Sequence, residues 1–293
     1  MQPLTVIGID IGGTRTRVGV VDDEYRIIAK SEFSTPTSGG RSALVGQLAE
    51  HIEELHGLTA GGIPLDTPVG IAVPGLVDSA TGVVARSVNL PFLEGASIRD
   101  ILPAGRVGAA LLMTDIEAAT WAEYRAHEEA VARFVHLRIG TGVGCGMIVG
   151  GSYVHPPRAT PGHADVLIVD DRPDAPSCVC GRRGCLELFV SRRALSRKLE
   201  SAGWTPGREQ SDATRAVIDK ASEWLSKALA RLVETLGPSV ICLGGGVVHA
   251  WPDLLRGADG ETKPIRLATL GDDAGMIGAA LRATPSPFGR GLG

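Results

Sequence analysis

Three of the five cysteines fall within eight residues, in the run Cys178-Val179-Cys180-Gly181-Arg182-Arg183-Gly184-Cys185. No other stretch restricts the backbone as tightly. Three thiolates can face one point only if the chain folds back on itself inside that window. Gly181 and Gly184 supply the turn freedom this requires. Structural Zn²⁺ sites use four N or S ligands in a tetrahedron. His163, separated from Cys178 by fourteen residues, would complete a Cys₃His shell. A chance cluster and a disulfide pair are the alternatives. A disulfide would leave one of the three unpaired, and the opening MQPLTVIGID lacks the basic and apolar regions of a secretory signal. A reducing, cytoplasmic setting is therefore expected. Cys145 and Cys242 lie in apolar, strand-like runs and read as core residues.

The rest of the chain alternates strands and helices. Leu4–Asp10 is an apolar β run that ends in Asp10-Ile11-Gly12-Gly13-Thr14. Strands are expected at 18–21, 25–31, 69–73, 83–87 and 109–113. Leu44, Leu48, Ile52 and Leu55 recur at helical spacing and predict a helix over 43–55. A second helix is expected over 116–127. The second half repeats the logic: strands at 134–139 and 144–149 flank Gly140-Thr141-Gly142. Helices follow at 191–202 and 212–236, the latter stopped by Gly237-Pro238. Then come a strand at 240–243, Gly244-Gly245-Gly246, a strand at 264–269 and a helix at 274–283. Each half thus opens with a strand, a Gly/Thr turn and a second strand, a weak internal duplication. Two α/β lobes facing each other across a cleft are the natural architecture. The expected division is 1–113 for the first lobe and 114–283 for the second, with the last helix able to pack back on the first. A Pro/Gly-rich tail, 284–293, is expected to be disordered.

Charge and length exclude several classes. A net charge of −4 and a pI near 6.0 do not suit a nucleic-acid or anionic-membrane partner, which would call for a basic face. No apolar run approaches the ~20 residues that span a bilayer.

The glycine turns carry the first chemical signal. Backbone N–H groups of a glycine hairpin can wrap an anion where no Cβ blocks the approach. Gly12, Gly13 and Thr14 form one such turn, with Asp10 placed before it to hold Mg²⁺ directly or through water. Gly140, Thr141 and Gly142 form a second. Gly244, Gly245 and Gly246 allow close backbone approach to adenine or ribose. Any one alone is common in proteins. No G-x-x-x-x-G-K-[ST] loop is present. Met113-Thr114-Asp115-Ile116-Glu117 joins a buried strand to a helix. Thr114 and Glu117 have capping-box spacing, and Asp115 could merely complement the helix dipole. Asp115 could equally accept the proton of an attacking hydroxyl, as phosphoryl transfer requires. The two roles are compatible, because a cap fixes the loop that carries the base.

The knuckle C-x-C-G-x-x-G-C-x-E, complete here through Glu187, resembles the signature of the ROK family of sugar kinases and sugar-responsive regulators. The three glycine turns, in this order, resemble that family's two phosphate motifs and its adenosine motif. The resemblance covers residues 4 to 283. It implies an α/β, two-lobed, actin-like ATPase (ribonuclease H-like) fold with a cleft and a structural zinc knuckle. It also implies ATP, Mg²⁺ and Zn²⁺ as cofactors, a sugar or cyclitol as acceptor, and a homodimer. On the matching positions, Asp115 is the base, and Asn89, Glu187 and His163 contact the sugar; a bland loop asparagine remains the other reading of Asn89. Two positions depart. The family's asparagine before the base is Thr114, and its glutamate before Gly162-His163 is Thr160. The expected activity is ATP-dependent phosphorylation of a sugar or polyol hydroxyl, with a deoxy sugar, modified hexose or cyclitol favoured over plain glucose. A sugar-binding regulator without catalysis is the alternative, although the family's repressors carry an N-terminal DNA-binding segment for which the strand at residue 4 leaves no room. A zinc hydrolase fits less well, because a filled Cys₃His shell keeps no open position for water.

Overall fold

The structure, a computed structural model, describes residues 5–78, 81–106, 108–127, 129, 131–155, 165–205, 211–256 and 265–284. In chain order the elements are β1 (Val6–Ile11), β2 (Arg15–Val21), β3 (Ile27–Ser34), α1 (Gly40–Leu58), β4 (Val69–Val73), β5 (Leu76–Asp78) and β6 (Val83–Arg86). Then follow α2 (Ile98–Ile101), β7 (Ala110–Thr114), α3 (Asp115–Ala126), β8 (Arg133–Ile139), β9 (Val143–Val149) and β10 (Ser152–Tyr153). The chain continues with α4 (Glu187–Val190), α5 (Arg192–Ser201), α6 (Asp212–Leu236), β11 (Val240–Gly244), α7 (Gly246–Ala250), β12 (Ile265–Leu267) and α8 (Ala274–Ala283). They form two compact units, one within Met1–Arg125 and Asp273–Gly293, the other within Ala126–Asp272.

The first unit is built on a sheet of order β3-β2-β1-β4-β7. β1, β2 and β3 run antiparallel, while β4 and β7 join β1 in parallel. Strand alternation sends Ile7, Ile9 and Ile11 to one face. There they form a core with Val18, Val20, Ile71 and the α1 residues Leu44, Leu48, Ile52 and Leu55. Each such buried side chain contributes about 1.5–3 kcal/mol relative to exposure. Gly8 and Asp10 point to the opposite face, where α8 lies. Gly19, Gly8 and Gly70 are cross-strand neighbours and make a flat row there. A Cβ on Gly8 would strike the Met276 carbonyl, and one on Gly70 the Ala279 carbonyl. The row therefore sets how closely α8 sits on the sheet.

The division of the chain differs from the one expected at 113/114. β7 runs into α3 without a break, and a Cβ on Gly278 of α8 would strike the Ala118 carbonyl of α3. That packing holds α3 in the first unit, so the boundary lies at Arg125/Ala126. The second boundary lies just before α8, at Asp272/Asp273.

The second unit repeats the plan. Its sheet has the order β10-β9-β8-β11-β12. β8, β9 and β10 are antiparallel, and β11 and β12 continue from β8 in parallel. The duplication read from the two glycine turns is thus one of topology. Ile218, Leu225, Leu229 and Leu232 of α6 pack on Val135, Leu137, Ile241 and Leu243. Ser211 caps α6 by accepting from the Thr214 N–H, and Gly237, at φ 51°, ends it. Among the described residues no helix is long and apolar enough to cross a membrane. The expected disordered tail lies, from residue 285 onward, outside the described residues.

Candidate active site

In an open sheet with parallel strands, ligand groups gather at the carboxyl ends of the strands. In the first unit those ends carry most of the expected residues. Asp10 lies opposite Ala72 in the β1–β4 register, and Thr114 lies opposite Val73 in the β4–β7 register. The Asp10 carboxylate is only 5% exposed. It sits against the first turn of α8, where any Cβ on Gly275 would collide with it. A carboxylate is favoured at a helix N-terminus. Its hard oxygens also suit Mg²⁺.

The hairpin Gly12–Thr14 is closed by the Gly12 N–H donating to the Arg15 carbonyl at 2.9 Å. A clamp under it, invisible in the sequence, fixes its shape. The Thr35 hydroxyl donates to the Gly12 carbonyl at 2.7 Å, and the Thr35 N–H donates to the Thr14 carbonyl at 2.9 Å. The Thr16 hydroxyl shares a further 2.9 Å hydrogen bond with that of Thr35. Both threonines are buried. Thr35 directly follows β3, and nothing in the local sequence signals the clamp.

Asn89 reaches the same corner: a Cβ on Gly13 would meet the Asn89 Cβ at 3.3 Å. Its loop is held by fully buried Ser87, whose hydroxyl donates to the Pro74 carbonyl at 2.6 Å. The Ser87 N–H donates to Glu94 Oε1 at 2.9 Å. Asp115 begins α3, and its Oδ1 accepts from the Ile116 N–H at 2.9 Å. Thr114 Oγ1 accepts from the Glu117 N–H at 3.2 Å. Of the expected capping box, the structure shows the half that engages the Thr114 hydroxyl.

The second unit carries the other two glycine turns. The Gly140 N–H donates to the Gly142 carbonyl at 2.8 Å and closes the β8–β9 hairpin. β11 lies parallel to β8, so Gly244–Gly246 follows at the same sheet edge. Gly245 has φ 94°, and a Cβ there would strike the Ile139 carbonyl. His136, on β8, is fully buried beside Gly244. Burial, and then the Arg138 charge, hold its pKa down at about 3.

Glu187, carried over as a sugar contact, is seated on the second hairpin. Its Oε2 accepts from the Val143 N–H at 2.9 Å. The knuckle that precedes it in the chain is formed as the spacing requires. The Sγ atoms of Cys178, Cys180 and Cys185 all lie within 4.8 Å of one another. Gly181 and Gly184 have φ of 87° and 65°. The Cys178 N–H donates to the Arg182 carbonyl at 2.7 Å, and the Gly181 N–H to the Cys178 carbonyl at 3.0 Å. Burial, and then the adjoining Cys180 and Cys178 thiols, push the Cys185 pKa well above the usual thiol range. A bound cation would reverse that, because a coordinating thiol is deprotonated. Three soft sulfurs at this spacing fit a thiophilic metal. His163 and Thr160 lie outside the described residues.

A glucokinase of Thermotoga maritima is 28% identical over 321 residues, with 96% of this chain and 97% of that protein covered. An N-acetylmannosamine kinase of Yersinia pestis is 28% identical, covering 96% and 98%. The crystal structure of a ROK family glucokinase from Streptomyces griseus, in complex with glucose and AMPPNP, superimposes with a TM-score of 0.75 at 26% identity, covering 95% and 98%. The α/β fold therefore matches that of the ROK sugar kinases, within the actin-like ATPase group. With the ROK family model matching residues 6–284, the chain belongs to the ROK family.

Proposed function

We propose that this ATP-dependent carbohydrate kinase phosphorylates a hydroxyl of a deoxy sugar, a modified hexose or a cyclitol in preference to plain glucose. The observation that carries the reading is the end of β7: Asp115 presents a carboxylate there, while the neighbouring Thr114 hydroxyl is engaged as the α3 cap. Asp115 accepts the proton of the acceptor hydroxyl as its oxygen attacks the γ-phosphorus, and ADP leaves. Little covalent chemistry is asked of the protein beyond this, because phosphoryl transfer is mostly positioning and charge stabilisation. Gly12, Gly13 and Thr14 bind phosphate oxygens through backbone N–H groups and the Thr14 hydroxyl. Gly140, Thr141 and Gly142 do the same from the second unit, and Gly244–Gly246 admits the adenosine. Asp10 would hold Mg²⁺, which when bound neutralises charge on the phosphates. Asn89, Thr114, Thr160, His163 and Glu187 contact the acceptor.

Cys178, Cys180, Cys185 and His163 would hold one structural Zn²⁺, whose contribution is to fix the knuckle. The knuckle in turn fixes Glu187 and, through Val143, the second hairpin. The altered pair, Thr114 and Thr160, makes the acceptor site less polar than one built from an amide and a carboxylate. The Yersinia pestis relative, named for a modified hexose, is consistent with such a change. We further propose a homodimer and a cytoplasmic setting. A regulator without catalysis is the weaker reading, since the relatives matched along 96% of the chain are named kinases.

ADP release screened over hexoses, amino sugars, deoxy sugars and cyclitols tests the proposal. A modified hexose, deoxy sugar or cyclitol should give the highest kcat/KM. No ADP release with any acceptor would overturn the catalytic reading. A glucose kcat/KM above ~10⁵ M⁻¹s⁻¹, well inside the range of efficient enzymes, would overturn the acceptor reading alone.

A further inference from the structure

Among the second unit's cations that the roles above leave unused, Arg192 is the one set at the glycine turns. Arg192 is the first residue of α5, directly after Ser191, which is buried and caps that helix by accepting from the Ala194 N–H. Two glycine turns meet at Arg192. Its backbone N–H donates to the Gly140 carbonyl at 2.8 Å, on the β8–β9 hairpin. Its guanidinium rests on the turn after β11, where any Cβ on Gly246 would strike Nη2. Those turns are about fifty residues away on either side in sequence, so only the fold brings them to one side chain. Among the described residues no acidic side chain pairs with Arg192; Glu187, on the same hairpin, bonds to the Val143 N–H instead.

An exposed arginine is ordinarily a solvated surface charge. Here the placement argues otherwise. A planar cation with five N–H donors lies against one glycine turn while its own backbone is bonded to the other. Such a fork matches phosphate oxygens in a bidentate way. We propose that Arg192 is a further nucleotide-binding residue, its guanidinium holding the phosphate chain of the bound nucleotide. This rests on the kinase reading above, and it adds a charged side chain to turns that otherwise offer only neutral donors.

Titration calorimetry of the full chain with Mg²⁺-ADP and with adenosine separates the possibilities. Arg192→Ala should weaken ADP about 10- to 100-fold, the worth of one hydrogen bond to a charged group, and leave adenosine binding unchanged. The loss should shrink as salt rises. Arg192→Lys should recover part of the affinity, because the charge returns without the planar fork. Gly246→Ala, which displaces the guanidinium without removing it, should weaken ADP in the same direction. The melting temperature without nucleotide should be unchanged in Arg192→Ala. Equal weakening of ADP and adenosine would mean that Arg192 only shapes the turn, and would overturn the proposal. So would unchanged ADP affinity. Wild-type protein that binds neither ligand would instead overturn the kinase reading, and this proposal with it.

Discussion

At the scale of single residues, Asp115 is the most exposed to test. Its Oδ1 also accepts from the Ile116 N–H, so Asp115→Asn keeps a carbonyl oxygen for that bond and removes only the proton acceptor. General-base contributions are typically ~10²–10⁴-fold. The kcat should fall by about that factor while nucleotide affinity holds. Retention of half the wild-type kcat would refute the assignment. Thr35 makes a different prediction. Thr35→Val deletes the hydroxyl that holds the Gly12 carbonyl, losing a part-buried hydrogen bond worth about 0.5–1.5 kcal/mol. The KM for ATP should rise more than kcat falls, and Thr35→Ser should rescue it. Equal behaviour of the Val and Ser variants would show that the clamp does not matter. Asp115 and the Thr114 cap beside it were legible in the sequence because they are contiguous, Thr114 to Glu117. The clamp and Arg192 were not. Thr16 and Thr35 meet across a strand pair, and the groups that Arg192 touches come from two distant turns.

At the scale of elements, long periodic segments were readable and short ones were not. The strand Val69–Val73 and the helices Asp212–Leu236 and Ala274–Ala283 fall where the pattern put them. α2, α4 and α7 have four or five residues each, about one helical turn, too short for a period of 3.6 to show. Gly246, the last residue of the glycine run expected after the 240–243 strand, starts α7. The knuckle was legible because cysteine spacing is itself the signal. Purified protein should carry about one zinc per chain. Cys178→Ser should lose it and melt earlier, since metal binding adds to folding stability, whereas Cys145→Ser, outside the cluster, should keep it. Metal analysis and melting curves of the two variants decide this.

His136 on β8 gives a pH prediction of defined sign. Its folded pKa, about 3, lies below the ordinary value of about 6.5. The unfolded chain therefore takes up a proton that the folded chain refuses between those values. Stability should fall as pH drops through that window, by at most about 1.4 kcal/mol per pH unit. His136→Gln, polar but not titrating, should flatten urea-unfolding free energies between pH 6.5 and 4.5 relative to wild type. Parallel slopes would mean that His136 gains its proton in the folded protein.

At the scale of the whole molecule, the duplication was the feature the sequence displayed best. Two glycine hairpins announced two sheets, and both sheets have the same strand order and the same mixture of antiparallel and parallel pairs. The boundary was harder to see, because it depends on α8 returning to α3 across 150 residues of intervening chain. The proposed acceptor preference can be probed at this scale too. Thr114 lets it be probed without disturbing the fold. Asparagine caps helices at least as well as threonine, so Thr114→Asn should retain the Glu117 N–H bond. The variant also restores an amide where the family's sugar-binding asparagine stands. One added hydrogen bond is worth about 0.5–1.5 kcal/mol, or roughly 2- to 10-fold. Glucose kcat/KM should rise by that factor, and the preferred acceptor should gain less or lose. Melting curves should match wild type, which separates a retuned site from a changed fold. Glucose turnover that stays flat in a well-folded Thr114→Asn variant would show that this threonine does not set the acceptor.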